Sequence, residues 1–319
     1  MTDRYLGFLQ YAFSPEAAVF RNLLGYDRRW LEEEGSQDSQ GRALWALGVA
    51  VSSSHDERLR AVAAALFRRA IPTAERLSSP RAVAFALLGV NNYMQRFPGD
   101  SSAKRLGEVL AEKLMHAFAP NNGGNWQWPD ALVTYSNASL PHAFISAGRW
   151  LGRPDMVEIG LDVLRWLLTL QTVDGHFVPI GNNGWCNRDG SRRARFDQQP
   201  IEADTTVGAC VEAYRTTGDK GWLEDAIRVF GWFLGDNDLG VPVYDEAAGA
   251  GFDGLEATGV NQNQGAESTL AWLHALIQMH ALQAEGLLEA SQAPGQQPAA
   301  ESPIEQERLA PLAPSRSTG

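Results

Sequence analysis

The sequence is poor in cysteine, with only Cys186 and Cys210 in 319 residues. Their spacing fits no metal motif, and two thiols make no disulfide framework. Long apolar runs are missing too. No stretch approaches the roughly 18 uninterrupted apolar residues of a membrane-spanning helix, so no membrane segment is expected. The run "MTDRYLGFLQYAFSPEA" lacks a basic region followed by a long apolar one, so no signal peptide is read and a cytoplasmic location is expected. Basic runs are short, and the net charge is −11 at pH 7. Nucleic-acid binding needs basic patches, so no nucleic-acid partner is expected. The densest basic spot, "RRARF" (Arg192–Phe196), reads either as a solvated loop or as a contact for an anion or sugar phosphate. HExxH, CxxC, EF-hand, GxxxxGK[ST] and βαβ-embedded GxGxxG motifs are all absent. No metal and no cofactor are therefore expected, and a Rossmann-type nucleotide-sugar transferase cannot be built from this chain alone.

What is present is helix after helix. Apolar residues at helical spacing predict elements over 41–54, 56–77, 79–97, 101–118, 140–151, 154–170, 201–217, 220–234 and 265–284. A short early helix near Pro15–Leu24 brings the number to about ten. Pro80 and Pro154 stand where a first helical turn tolerates proline, and Pro72 is read as a kink. The stretches "AGRWLGRPDMVEIGLDVLRWLLTLQ" and "AYRTTGDKGWLEDAIRVFGWFLGDN" repeat one design: a helix end, a Gly/Asp turn and an antiparallel partner. Such self-similarity marks stacked helical hairpins. The expected fold is all-α, an α/α toroid spanning 1–287. The Pro/Gln/Ala-rich remainder, 288–319, is expected to be disordered.

Three long segments interrupt the hairpins: 119–137, 172–200 and 237–264. Loops of this length are functional or disordered, and their aromatic content argues for function. Each joins the end of one hairpin to the start of the next, so all three are expected over one face. They carry acids and amides beside aromatic rings, the composition of a carbohydrate site. Carboxylates and amides complement hydroxyls that both donate and accept, and flat rings cover the C–H faces of sugars. Glycoside hydrolysis further needs two carboxyl groups. Asp130, Asp197, Glu202 and Glu267 are the candidate acids and bases. Asp38, Arg42, Trp126, Trp128, Tyr135, Asn137, His176, Trp185, Gln198, Gln199, Asn263 and Gln264 are the candidate substrate contacts. Each feature also has an ordinary reading. Glu202 and Glu267 suit the positive end of a helix dipole, Asp130 suits a turn, and lone histidines such as His142 and His176 are often structural.

The strings "YDRRWLEEEGSQDSQGRALWALG", "NWQWPDALVTYSNASLPHAFISAG", "FVPIGNNGW", "FDQQPIEA" and "NQNQGAESTLAWL" together resemble a bacterial α/α-toroid module. That module occurs alone, or beside or fused to family-4-type glycosyltransferases. It is similar in build to six-hairpin glycosidases and N-acylglucosamine 2-epimerase-like toroids. The resemblance covers about Ala18–Ala284 and marks the module rather than one reaction. It implies an oligosaccharide or glycoside substrate, with a glycosyltransferase as a further partner. The chain departs from the pattern at Gln37 and Gln40, where an acid and a histidine are expected, and at Ser136, where an aspartate is expected. Three readings stay open: a glycosidase-like hydrolase, a non-catalytic saccharide-binding accessory module, and a sugar 2-epimerase working through His142 and His176.

Overall fold

The computed structural model describes residues 2–119 and 125–288. Ten α-helices lie among them: α1 (Thr2–Ala12), α2 (Gln37–Ser53), α3 (Glu57–Ala74), α4 (Pro80–Arg96), α5 (Ser101–Phe118), α6 (Ser139–Leu151), α7 (Pro154–Leu170), α8 (Pro200–Thr217), α9 (Gly221–Leu234) and α10 (Ala266–Ala284). Local chemistry sets many of their ends. Asp56 and Asp100 accept the first free amides of α3 and α5, satisfying donors that have no partner within the helix. Proline occupies the first turn of α4, α7 and α8. Gly152, Gly218 and Gly235 adopt left-handed backbone just past α6, α8 and α9, the usual way to stop a helix and reverse the chain.

The helices form two layers. α2, α4, α6, α8 and α10 pack in succession as an inner series, while α3, α5, α7 and α9 each lie against their hairpin partners outside it. α1 rests on α3. Because inner helices are separated by one outer return helix, the five run parallel and start at the same end. Every long loop leads into the start of an inner helix. The apolar core fills the space between the layers, with Phe67 stacked on Tyr93 at 4.4 Å and Trp232, Phe144 and Phe233 fully enclosed.

The α2–α4 contact is the tightest. A Cβ at Gly48 would fall inside the carbonyl of Gly89, and one at Gly89 would meet the backbone of Leu44. Only glycine lets these two backbones approach so closely, and that approach draws their first turns together at the mouth.

One expected element lies elsewhere. The early helix is α1, and Pro15–Leu24 instead holds the turn and second strand of a hairpin of β1 (Phe13–Ser14) and β2 (Val19–Phe20). The chain reverses through Ala18 at φ 58°, and the Phe13 and Phe20 rings meet at 5.0 Å. A helix would turn Val19 about 120° away from the face shared by Phe13 and Phe20, whereas the hairpin buries all three. Leu288 is buried on the core. The residues beyond it, where a disordered tail is expected, lie outside the described residues. No helix among the described residues is long and apolar enough to cross a membrane.

Gly48→Ala should destabilise the fold by about 1–3 kcal/mol or more, because the obstacle is backbone and cannot rotate away. Thermal unfolding checks this; an unchanged midpoint would show that the α2–α4 distance is not constrained as described.

Candidate active site at the mouth of the inner helices

The three long loops are laced together by short backbone ladders. β3 (Leu132–Val133) of the first loop pairs antiparallel with β6 (Cys186–Asn187) of the second. Arg188 N adds a bond to the Ala131 carbonyl. The second loop also folds on itself through β4 (Thr172–Val173) and β5 (His176–Phe177). Gln198 exchanges both backbone bonds with Leu255, which lies in β9 (Gly254–Glu256) of the third loop. There β9 pairs with β10 (Gly259–Asn261), and β7 (Tyr244–Asp245) pairs with β8 (Ala250–Gly251). The loops thus form one rim over the inner helix starts. Ser136, Trp185 and Asp197 hold positive φ in this rim, a conformation that costs non-glycine residues about 1–3 kcal/mol.

Beneath the rim the first turns of four inner helices bring charge together. Asp38 of α2 accepts from Arg42 Nε at 2.8 Å and from the Tyr135 hydroxyl at 2.9 Å. Arg42 also lies 3.8 Å from Glu267 of α10, which ties the last inner helix to the first. Its guanidinium stacks on Phe85. Arg81, in the first turn of α4, lies 4.3 Å over the Tyr135 ring and donates through Nη2 to Thr134 Oγ1. The Trp185 ring lies beside Tyr135, tilted, with ring centres 6.5 Å apart.

Glu202 sits in the first turn of α8 and is wholly buried. Its Oε2 accepts from Asn137 Nδ2 at 2.8 Å, and Oε1 has no partner. Burial pushes its carboxyl up to about 7, against partial relief from Asn137 and the charge of Arg81. Near pH 7 about half of the molecules therefore carry it as a carboxylic acid, whereas an exposed glutamate would be ionised.

Further along the inner wall lies a second polar group. His274 Nδ1 of α10 is 2.7 Å from Asp204 Oδ1 of α8. The Asp204 bond holds His274 above its ordinary value, while burial raises Asp204. Gln278 reaches His274 at 3.4 Å. His142 of α6 lies close by, since a Cβ on Gly208 would stand 3.7 Å from its Nδ1 and 3.3 Å from Gln278 Oε1. Burial lowers His142, so it is neutral.

The structure sorts the expected contacts into two sets. Asp38, Arg42, Tyr135, Asn137, Trp185, Glu202 and Glu267 come together as described. The others are placed differently. Trp128 is fully buried and stacks on Trp166 of α7, and Trp126 packs edge-on against the same ring; they join the rim to the outer layer and offer no sugar platform. His176 bonds Asp238, which also receives Arg195 and Gln198, while Gln198 Oε1 accepts from Trp232. That network fastens the second loop to the third. His176 and His142 therefore do not share a pocket. Asn263 bonds Asp253, and Gln264 bonds Asp245, bracing the start of α10. Asp130 is exposed, Asp197 and Gln199 are half-buried, and none has a side-chain bond to the cluster. Of the basic spot, Arg193 is sunk onto the carbonyls of Leu170 and Val178, and Arg192 onto that of Asn183.

The three departures from the expected pattern have structural duties. Gln37 accepts from the amides of Ser78 and Ser79, Gln40 brackets the backbone of Phe20, and Ser136 shares a bond with Ser139. Sequence reading missed Arg81, Asp204 and His274. Arg81 and His274 each carry a helix-spaced polar group on an otherwise apolar inner helix, a signal that was present.

Solved structures share this architecture. The α-1,6-mannanase of Salegentibacter sp. HEL1_6 matches with a TM-score of 0.65 at 13% identity, over 91% of this chain and 82% of that one. Cellobiose 2-epimerase from Bacillus thermoamylovorans B4167 matches at 0.63 and 12%, over 88% and 80%. A family 76 glycoside hydrolase (mannosidase) from Bacteroides thetaiotaomicron VPI-5482 matches at 0.60 and 13%, over 90% and 82%. No family model and no curated protein matches. The shared feature is the fold, an α/α toroid of helical hairpins.

The buried acid gives a stability signature. Below pH 4.5 Glu202 is protonated in both folded and unfolded chains. Between 4.5 and about 7 the folded state keeps a proton that the unfolded chain has released. Its contribution to stability therefore falls as pH rises through that window, by about 3 kcal/mol in all. Chemical denaturation at about pH 4.5, 6 and 8 should show Glu202→Gln flattening this slope relative to wild type. An identical slope in both proteins would assign the proton elsewhere.

Proposed function

We propose that the chain processes a glycoside at this mouth, as a hydrolase in which Glu202 is the proton donor. The observation that carries the reading is a buried carboxyl whose pKa is raised to about 7, at a mouth where other inner helix starts bring further carboxylates. Glu202 would give its proton to the leaving glycosidic oxygen as the C–O bond breaks. A second carboxylate would take the proton of the attacking water. Glu267 suits that role better than Asp38. Both Asp38 oxygens are engaged, whereas Glu267 is 63% exposed and held only by Arg42 at 3.8 Å. Tyr135 and Trp185 supply the aromatic surfaces. The mannanase neighbour is described as inactive when two adjacent aspartates are replaced, and as binding α-1,6-mannotetrose. This chain contains no Asp–Asp pair, so its acids must be arranged differently.

Glu202→Gln keeps the size of the side chain and its acceptor for Asn137, but removes the proton. Release of reducing ends from a saccharide panel should fall by about 10²-fold or more, with the circular dichroism spectrum unchanged. Glu267→Gln should fall similarly. Full activity of Glu202→Gln would reject this assignment. Binding by the wild type without any release would instead support an accessory module, for example one serving a glycosyltransferase.

A second reading has its own observation. Neutral His142 stands near Gln278, which reaches His274 of the Asp204–His274 pair, an arrangement suited to moving a proton on and off carbon next to a carbonyl. The neighbouring fold of cellobiose 2-epimerase accommodates such a reading. Incubating reducing disaccharides with the protein in D2O tests it. Deuterium at C2 with appearance of the epimer supports isomerisation, and no exchange over many hours excludes it.

A further inference from the structure

We infer that the mouth selects an acidic sugar, a uronic acid whose carboxylate pairs with Arg81. This rests on reading the mouth as a saccharide site, and it names the class of sugar.

The two arginines of the mouth are unequally matched by acids. Arg42 is answered twice, by Asp38 and by Glu267. Arg81 makes no ion pair among the described residues. Its side-chain contacts are a neutral hydroxyl, Thr134 Oγ1, and the π face of Tyr135. Its charge acts on Glu202, whose buried carboxyl resists ionisation. A half-buried guanidinium with one neutral partner is an expensive arrangement unless something else meets the charge.

The geometry also says which side is open. Nη2 is used by Thr134, and Nε is sealed from solvent without a partner. Nη1 has no partner among the described residues and is not among the sealed atoms. The Nη1 donors are therefore neither sealed nor used. Tyr135 beneath the guanidinium fixes its plane, and Asp38 holds the Tyr135 hydroxyl. Such a cation is planar, oriented and short of an anion. Arginine held this way favours a carboxylate over a hydroxyl, because a charge-assisted bond is roughly twice as strong as a neutral one. A hexose presents only hydroxyls here, whereas a uronic acid presents a carboxylate at C5. The inner helix starts that converge on the mouth add positive potential of the same sense.

The test uses three matched disaccharide pairs, each an acidic sugar and its neutral counterpart: cellobiouronic acid and cellobiose, dimannuronate and mannobiose, digalacturonate and galactobiose. Calorimetry on wild-type protein should find at least one pair whose acidic member binds about tenfold tighter or more. Arg81→Gln retains a donor for Thr134 and should bring that ratio to about one. Arg81→Lys should keep part of the preference; if circular dichroism shows Arg81→Gln to be unfolded, Arg81→Lys carries the comparison through a reduced ratio. Equal or tighter binding of the neutral member in every pair overturns the inference while the saccharide reading stands. A preference that survives the loss of the guanidinium overturns it as well. Binding of neither member in any pair defeats the saccharide reading itself, and the inference with it.

Discussion

The bond between Asn137 and Glu202 is the contact on which the mouth depends. Asn137 closes its own turn, giving Nδ2 to the Thr134 carbonyl and taking the Thr134 amide on Oδ1. With the same Nδ2 it reaches Glu202 at the start of α8. One buried amide thus fixes the turn before α6, sets the first turn of α8, and positions Tyr135 and Thr134, which in turn hold Arg81 of α4. Removing either partner would leave a buried polar group unsatisfied, which costs more than the bond itself contributes. The carboxyl accepts this burial by holding its proton, and its acid character follows from packing alone.

A ring of parallel helices makes such a site possible. Each inner helix presents its free amides at the same end, so the mouth is surrounded by positive dipole ends. Asp38, Glu202 and Glu267 all lie in first turns, where that field stabilises their charge. In an ordinary helix this would be the whole explanation of such acids. Here the close approach of α2 and α4 at Gly48 and Gly89 brings the first turns within reach of one another, and helix-end charges become a cluster. The loops then roof the cluster through ladders of two or three residues. Backbone pairing fixes their register while leaving their side chains available.

Much of this was legible in the sequence. Helical spacing, first-turn prolines and post-helical glycines gave the element order, and loop lengths gave the shared face. What composition could not supply was direction. Trp126 and Trp128 belong to a loop rich in polar residues, yet they point into the outer layer, because a large ring gains more by burial between α5 and α7 than by waiting for a ligand. His176 and Gln198 read as sugar contacts by type, but Asp238, far off in the third loop, claims both. That pairing is invisible to any local pattern. Asp204 and His274, 70 residues apart, meet only because α8 and α10 are neighbours in the inner layer. The early helix failed for a similar reason: Phe13 and Phe20 choose each other across a turn, and a window that sees only helical spacing does not see that partner.

The charge of the mouth runs against the charge of the molecule. With a net charge of −11, long-range potential repels an anion and cannot steer it to the site. Any preference for an acidic sugar must arise at contact, where Arg81 is short of a partner and the solvent is partly excluded. This separates the two roles that arginine plays here. Arg42, met by two carboxylates, is structural and closes α2 against α10. Arg81, met by a hydroxyl and a ring, is the cation with capacity to spare. Glu202 is coupled to it: a carboxylate arriving at Arg81 would take up the positive charge that now favours Glu202 ionisation. The acid would then hold its proton more firmly when the substrate is bound than when it is absent. In such a site, recognition of the substrate's charge and preparation of the proton donor are one event, arranged by a single guanidinium lying between them.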